Sequence, residues 1–152
     1  RWLDLRGWRP PGSASWLCLV LDDTASHVRE RHAVDGLGLD LGIYDLEAMA
    51  AGAEMALHNG TDLWDPGQPA GARLRLSAAF YGGYVSRHIG RPVPEGDSYA
   101  GEKVSPHKAP LFELLYLRFR DESLARVLSR HRGAYDGHLL GDAALAFGVP
   151  LE

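Results

Sequence analysis

The stretch from Asp40 to Trp64 constrains the fold more than any other part of the chain. Leu46, Met49, Ala53 and Ala56 recur at three- and four-residue spacing as one buried stripe, while Ala50, Ala51 and Gly52 keep the remaining faces small. Asp45 is the expected N-cap, because its carboxylate can accept the free amide hydrogens of a first turn. Asn59-Gly60 supplies the left-handed residue that ends a helix. The stretch therefore reads as a helix of about three to four turns. Small residues on several sides let such a helix approach neighbours on more than one face, which suits the centre of an all-α assembly.

The other segments are divided by proline and glycine. Residues 1–14 read as a short amphipathic start closed by the breaker cluster Arg9-Pro10-Pro11-Gly12-Ser13. Trp16 to Leu21 is an apolar run whose periodicity does not separate a buried strand from a buried helix piece. Asp22 to Ala33 reads as a polar helix capped by Asp22, Asp23 or Thr24, and the glycines between Val34 and Gly42 are expected to interrupt any regular helix. Beyond the loop Asp65-Pro66-Gly67-Gln68-Pro69-Ala70-Gly71, Ala72 to Ile89 forms a second long helical pattern. Gly82 and Gly83 each weaken it by roughly 1 kcal/mol relative to Ala, which points to close packing or a kink. Gly90 to Pro110 is the longest irregular stretch, a length associated with function or mobility. Leu111 to Arg120 is a third helix, and Asp121 caps a fourth, Glu122 to His131, ended by Gly133. Asp136 to Phe147 reads as a short tail helix closed by Gly148 and Pro150. The sum is one all-α domain over residues 1–152, four to six helices joined by Pro/Gly-rich loops, with no fixed period that would make a regular solenoid.

Composition narrows the function. A 45% hydrophobic and 24% charged chain is ordinary for a globular protein and excludes disorder throughout. The net charge of -4 is mild and the basic residues, fourteen Arg and two Lys, are scattered, so no nucleic-acid footprint is expected. No run reaches the roughly eighteen apolar residues of a membrane-spanning helix, so no membrane partner is expected either. The single cysteine, Cys18, lies in an apolar run without a basic neighbour and reads as core. The chain starts at Arg1 in mid-pattern, without the apolar core of a signal peptide, and is expected to be a piece of a longer polypeptide.

Candidate chemistry is sparse. His27 and His32 are five apart, on different faces of a helix, and no second cluster completes a zinc site. Gly36-Leu37-Gly38 with Gly42 follows no strand and misplaces the third glycine of a dinucleotide fingerprint. Neither a metal nor a cofactor is expected. No Gly-x-Ser-x-Gly elbow occurs. Asn59-Gly60-Thr61 matches a glycosylation sequon, although the helix-cap reading of those residues suffices. Tyr84, Arg87 and His88 share one side of a helix, where they present a cation, an acid and a base to an anionic sugar or peptide. The alternative is a helix end whose Arg87 and His88 complement the dipole. Asp40, Tyr44, Asp45 and Glu47 read as a cap region first and a site second.

The run Tyr44-Asp45-Leu46-Glu47-Ala48-Met49, continuing through Ala53-Glu54-Met55-Ala56 to Asn59-Gly60-Thr61-Asp62-Leu63-Trp64, resembles the alginate lyase family of helical polysaccharide lyases. The later pieces arrive in the family's order: a helix like Leu74 to Tyr84, a Pro-rich loop, then Pro110 to Phe119 with Asp121. The resemblance covers roughly Leu39 to His131, and its matched residues look structural. It implies an α/α toroid, or an incomplete helical barrel, in a periplasmic or secreted protein that cleaves acidic polysaccharide by β-elimination. That reaction needs a group to neutralise the uronate carboxylate, a base for the C5 proton and an acid for the leaving oxygen. The register aligning Leu46 and Glu54 puts Leu37 and Leu41 where the family carries basic and acid/base residues, and no Asn-His pair precedes them. None of the family's catalytic residues carries over; Arg31, His32 and Tyr44 are the nearest substitutes. Three readings follow: part of a lyase whose other half holds catalytic residues, a relative that binds acidic glycan without cleaving it, or an unrelated helical interaction domain.

Overall fold

The computed structural model describes residues 38–97, 99–132 and 140–151. Among these the chain is 64% helical, with five α-helices and no strand, so the all-α class holds. The helices are α1 (Gly38–His58), α2 (Pro69–His88), α3 (Leu111–Phe119), α4 (Glu122–His131) and α5 (Ala143–Phe147), with a 3-10 turn at Pro106–Lys108. The readings of the amphipathic start, of Trp16 to Leu21, of Asp22 to Ala33 and of the Gly133 stop lie outside the described residues.

The first correction concerns where α1 begins. It starts at Gly38, passes through Gly42 without interruption, and leaves Asp45 inside the helix rather than at its cap. The reason is a carboxylate far along the chain: Glu102 accepts the amide hydrogens of Gly38 at 3.1 Å and Leu39 at 2.5 Å. An acceptor supplied from the loop satisfies first-turn donors that a local cap would otherwise have to meet. The buried stripe shifts accordingly to Leu39, Ile43, Leu46, Ala50 and Ala53, while Met49 and Ala56 lie half-buried at its edge. The far end is as the sequence indicates. Gly60 is left-handed at φ 82°, its amide donates to Leu57 O and that of Thr61 donates to Ala56 O, the paired bonds of a Schellman motif.

Residues 59–68 then return the chain to pack α2 against α1. Pro69 opens α2, where its missing N–H costs nothing and its fixed φ suits a first turn. Leu74, Ala78, Tyr81 and Val85 form the buried side of α2. Of the two glycines in this helix, Gly82 is the packing contact: a Cβ there would lie 2.9 Å from Leu124 Cδ2 and 3.0 Å from Ser123 Oγ, both on α4. Gly83 would meet only Arg87 Nη2, at 3.9 Å.

Among the described helices, α3 is the central one. Leu111 to Tyr116 are all buried, and α3 packs against each of the other four helices. It stops because Arg120 turns left-handed at φ 51°, after which the Asp121 carboxylate caps α4 by accepting from Ser123 N at 2.9 Å. That cap and the bounds of α4 agree with the sequence reading. The tail helix is shorter than expected: Leu140 to Asp142 are not helical, and α5 starts at Ala143 with Asp142 accepting from Leu145 N at 3.0 Å. A cap residue close to the true start overrides the propensity of Leu140 before it, and Asp136 to Leu139 lie outside the described residues.

Among the buried charged residues, Glu113 is the one on α3. The Glu113 side chain on α3 is 2% exposed and is gripped by Arg132, whose Nε and Nη2 donate to the two carboxylate oxygens at 2.8 and 2.9 Å.

Two tests follow from this packing. Overpacking a tight contact costs about 1–3 kcal/mol, while Ala in place of Gly offsets about 1 kcal/mol through helix propensity. Gly82→Ala is therefore expected to lower the urea midpoint and Gly83→Ala to leave it unchanged or raise it, with the slope constant in both. Arg132→Met, which strands the buried Glu113 carboxylate, is expected to cost about 3 kcal/mol, and adding Glu113→Leu to recover most of that loss.

Candidate functional site

Of the three residues named as substitutes for a lyase site, Tyr44 alone is among the described residues. Arg31 and His32 lie outside them. Tyr44 sits on α1, 40% exposed, with the Lys108 ammonium 4.6 Å from its ring centroid. Lys108 itself is 4% exposed and faces Asp40, whose Oδ2 is 3.9 Å away, while Asp40 Oδ1 accepts from Ser105 N at 3.0 Å. The arrangement covers a cation with an aromatic face and a carboxylate. It fastens the end of the long loop to α1. Leu41 is a half-buried hydrocarbon on α1. The cap-region reading of Asp40, Tyr44, Asp45 and Glu47 is corrected in part: Asp40 lies in the first turn of α1, and the other three are interior helical positions.

The other candidate group does assemble. At the C-terminal end of α2, the Arg87 guanidinium carbon lies 5.6 Å from the Tyr84 ring centroid, and the His88 ring lies 6.1 Å from it. Helical spacing alone accounts for this, since residues three and four apart share a face. The loop contributes what spacing could not indicate. Asp97 Oδ1 accepts the Tyr84 hydroxyl at 2.9 Å and the Tyr99 amide at 3.0 Å, and the Tyr99 ring meets Tyr84 edge-on at 5.4 Å. Phe80 closes the other side at 5.2 Å. Burial, then the hydrogen bond and charge of Asp97, push the Tyr84 phenol up to about 12. At neutral pH Tyr84 is a fixed hydrogen-bonded phenol, unsuited to take a proton from carbon.

Two further cationic residues are carried on the backbone that returns to this end of α2. Arg87, Arg91 and Lys103 are all exposed. The Arg91 amide donates to His88 O at 2.9 Å, and Lys103 pairs with Pro92 in an antiparallel bridge, so the loop returns both residues to the end of α2. The loop is ordered by its own pairing: Val93 N donates to Glu102 O at 2.8 Å, Gly101 N to Val93 O at 2.9 Å, and Val93, Tyr99 and Val104 are buried beneath. An aromatic ring with a guanidinium over it, further exposed cationic residues on the adjoining loop and one oriented carboxylate suit an anionic ligand rich in hydroxyls.

Two further ion pairs are structural. Arg118 on α3 forks onto Glu54 of α1, with Nε donating to Oε2 at 3.0 Å and Nη2 donating to Oε1, and its guanidinium carbon lies 5.8 Å from the Trp64 ring centroid. Beside the Glu113–Arg132 pair, His131 is held below its ordinary value by burial and then by Arg130. No group of three His, Cys, Asp or Glu side chains is placed to hold a metal ion among the described residues. No described helix is long and apolar enough to cross a membrane.

Asp97, Tyr99, Arg91 and Lys103 are the residues that sequence reasoning missed. Their only sequence signal is membership of the long irregular segment, because the bridges that fold it back are set by tertiary contacts. Comparison with protein families, with curated proteins and with solved structures returns no match.

The geometry makes a direct prediction about Tyr84. In an NMR titration of carbon-labelled tyrosine, assigned by Tyr84→Phe, its signal is expected to move near pH 12 rather than 10.0. Asp97→Asn removes the anionic acceptor and should lower that midpoint without restoring it fully, since burial remains. An unchanged midpoint in Asp97→Asn would show that the hydrogen bond is not made in solution.

Proposed function

We propose that this chain is a helical domain of the alginate-lyase type that binds acidic, uronate-containing polysaccharide at the C-terminal end of α2. The observation that supports the reading is the Arg87 guanidinium over the Tyr84 ring, at a helix end to which the loop backbone also returns the exposed residues Arg91 and Lys103. A uronate unit offers a carboxylate, which a guanidinium can bind through two parallel hydrogen bonds, and a pyranose face, which packs on an aromatic ring. His88 and Asp97 add polar groups to the same end. In this reading the helices are part of an α/α toroid, and the protein works in the periplasm or outside the cell, where such polymers are met.

Binding without cleavage is preferred because the tyrosine at this site is a phenol held protonated by Asp97 and by burial. Elimination is the second reading, favoured by Tyr44, which keeps part of its ring at the surface of α1 beside a cation. It needs Arg31, His32 or groups outside this chain to complete acid/base chemistry.

Binding of alginate and other uronate polymers, measured by calorimetry at low salt, tests both. Affinity is expected to fall steeply as salt rises, because the Debye length shrinks to about 10 Å at 0.1 M. Neutral glucans should not compete. Arg87→Ala with Arg91→Ala should weaken binding about tenfold to a hundredfold, the loss of one charged hydrogen bond at roughly 1.5–3 kcal/mol. Absence of binding to every acidic polymer would sink the proposal. A rise in ultraviolet absorbance from unsaturated uronate, abolished by Tyr44→Phe, would establish elimination instead.

A further inference from the structure

We propose that Asn59 is an acceptor for N-linked glycosylation. The inference rests on the export proposed above, and its chemistry is carried by the turn that ends α1. Asn59-Gly60-Thr61 places an amide nitrogen two residues before a hydroxyl with no proline between them, the arrangement an N-glycosyl transfer requires. All three residues are exposed. Gly60, at φ 82°, puts no side chain between the amide and the hydroxyl, and even a Cβ there would meet nothing within 4 Å.

The cap and the modification are compatible. Asn59 Nδ2 donates to Met55 O at 2.7 Å, which uses one of its two protons. In the transfer, a bond forms between Asn59 Nδ2 and the anomeric carbon of a lipid-linked oligosaccharide. The bond from that carbon to the lipid diphosphate breaks, the diphosphate departs with its electron pair, and the amide gives up one proton. The remaining N–H can still donate to Met55 O, so the helix end need not unravel. The position also keeps an attached glycan away from the candidate site. Tyr84, Arg87 and His88 lie at the opposite end of α2, a helix of 20 residues and so roughly 30 Å long at about 1.5 Å per residue.

The test directs the full chain into a eukaryotic secretory pathway through an added leader, with a second, unstructured acceptor sequence in a C-terminal tag. The expected result is two added glycans, both removed by peptide:N-glycosidase, with only the tag glycan left in Asn59→Gln and in Thr61→Ala. Thr61→Ser should restore both. Thr61→Ala leaves the Asn59 cap in place, so its loss of glycan cannot be ascribed to unfolding. Modification of the tag alone in the unaltered chain would overturn the proposal. The added leader separates this result from whether the protein is naturally exported, and mobility on a gel does not depend on whether polysaccharide binds.

Discussion

The Glu113 carboxylate lies in the helix that every other described helix touches, and the way it is neutralised holds the assembly together. An ionised carboxylate out of water is tolerated only when paired and hydrogen-bonded. Arg132, just past the end of α4, supplies two parallel bonds to it and a third to Val149 O at 2.5 Å. One guanidinium thus ties α3, the end of α4 and the C-terminal segment together. Arg120 adds a bond to Pro150 O at 3.3 Å, and Arg118 fastens the other end of α3 to α1 through Glu54. The planar fork of Arg suits this use better than a lysine ammonium, because one side chain makes several fixed bonds.

A second set of charges holds the long loop, and the candidate site depends on it. Glu102 caps α1 from a distance, Asp40 accepts from Ser105 N, and Lys108 is enclosed between Asp40 and the Tyr44 ring. These contacts clamp the C-terminal half of the loop against α1, while the Ile89–Val104 and Pro92–Lys103 bridges fold its N-terminal half back over the end of α2. Asp97 and Tyr99 are carried between the two anchors. The polar end of α2 therefore inherits its geometry from the N-terminus of α1, although both helices and the turn between them lie along the chain from one to the other. Tyr44 belongs to this clamp, which gives it a structural role whatever else it does.

Local signals were legible wherever one residue type answers one backbone need. Asp121 before Glu122-Ser123 and Gly60 after Asn59 each satisfy a terminus with its own neighbours, and the structure uses both, whereas Pro69, read as loop, opens α2 three residues before the expected Ala72. The pair of glycines in α2 announced a close approach, and Gly82 makes it. The start of α1 was illegible because its cap is Glu102, and no local pattern encodes a partner more than sixty positions away. The glycines before Tyr44 looked like breakers for the same reason: their propensity was read without the tertiary contact that overrides it. The trio of Tyr84, Arg87 and His88 was legible from spacing, whereas Asp97 and Tyr99, which turn a helix end into a structured cluster, were not.

By itself the sequence determined an all-α chain, the ends of its middle helices and the faces they bury, because caps, breakers and apolar periodicity act over a few residues and within one element. The tertiary structure alone decided which helix is central, where α1 begins and which charges meet. Those outcomes depend on long-range partners, Glu102 for α1, Arg132 for Glu113 and Asp97 for Tyr84, whose pairing exists only once the helices and the loop have packed.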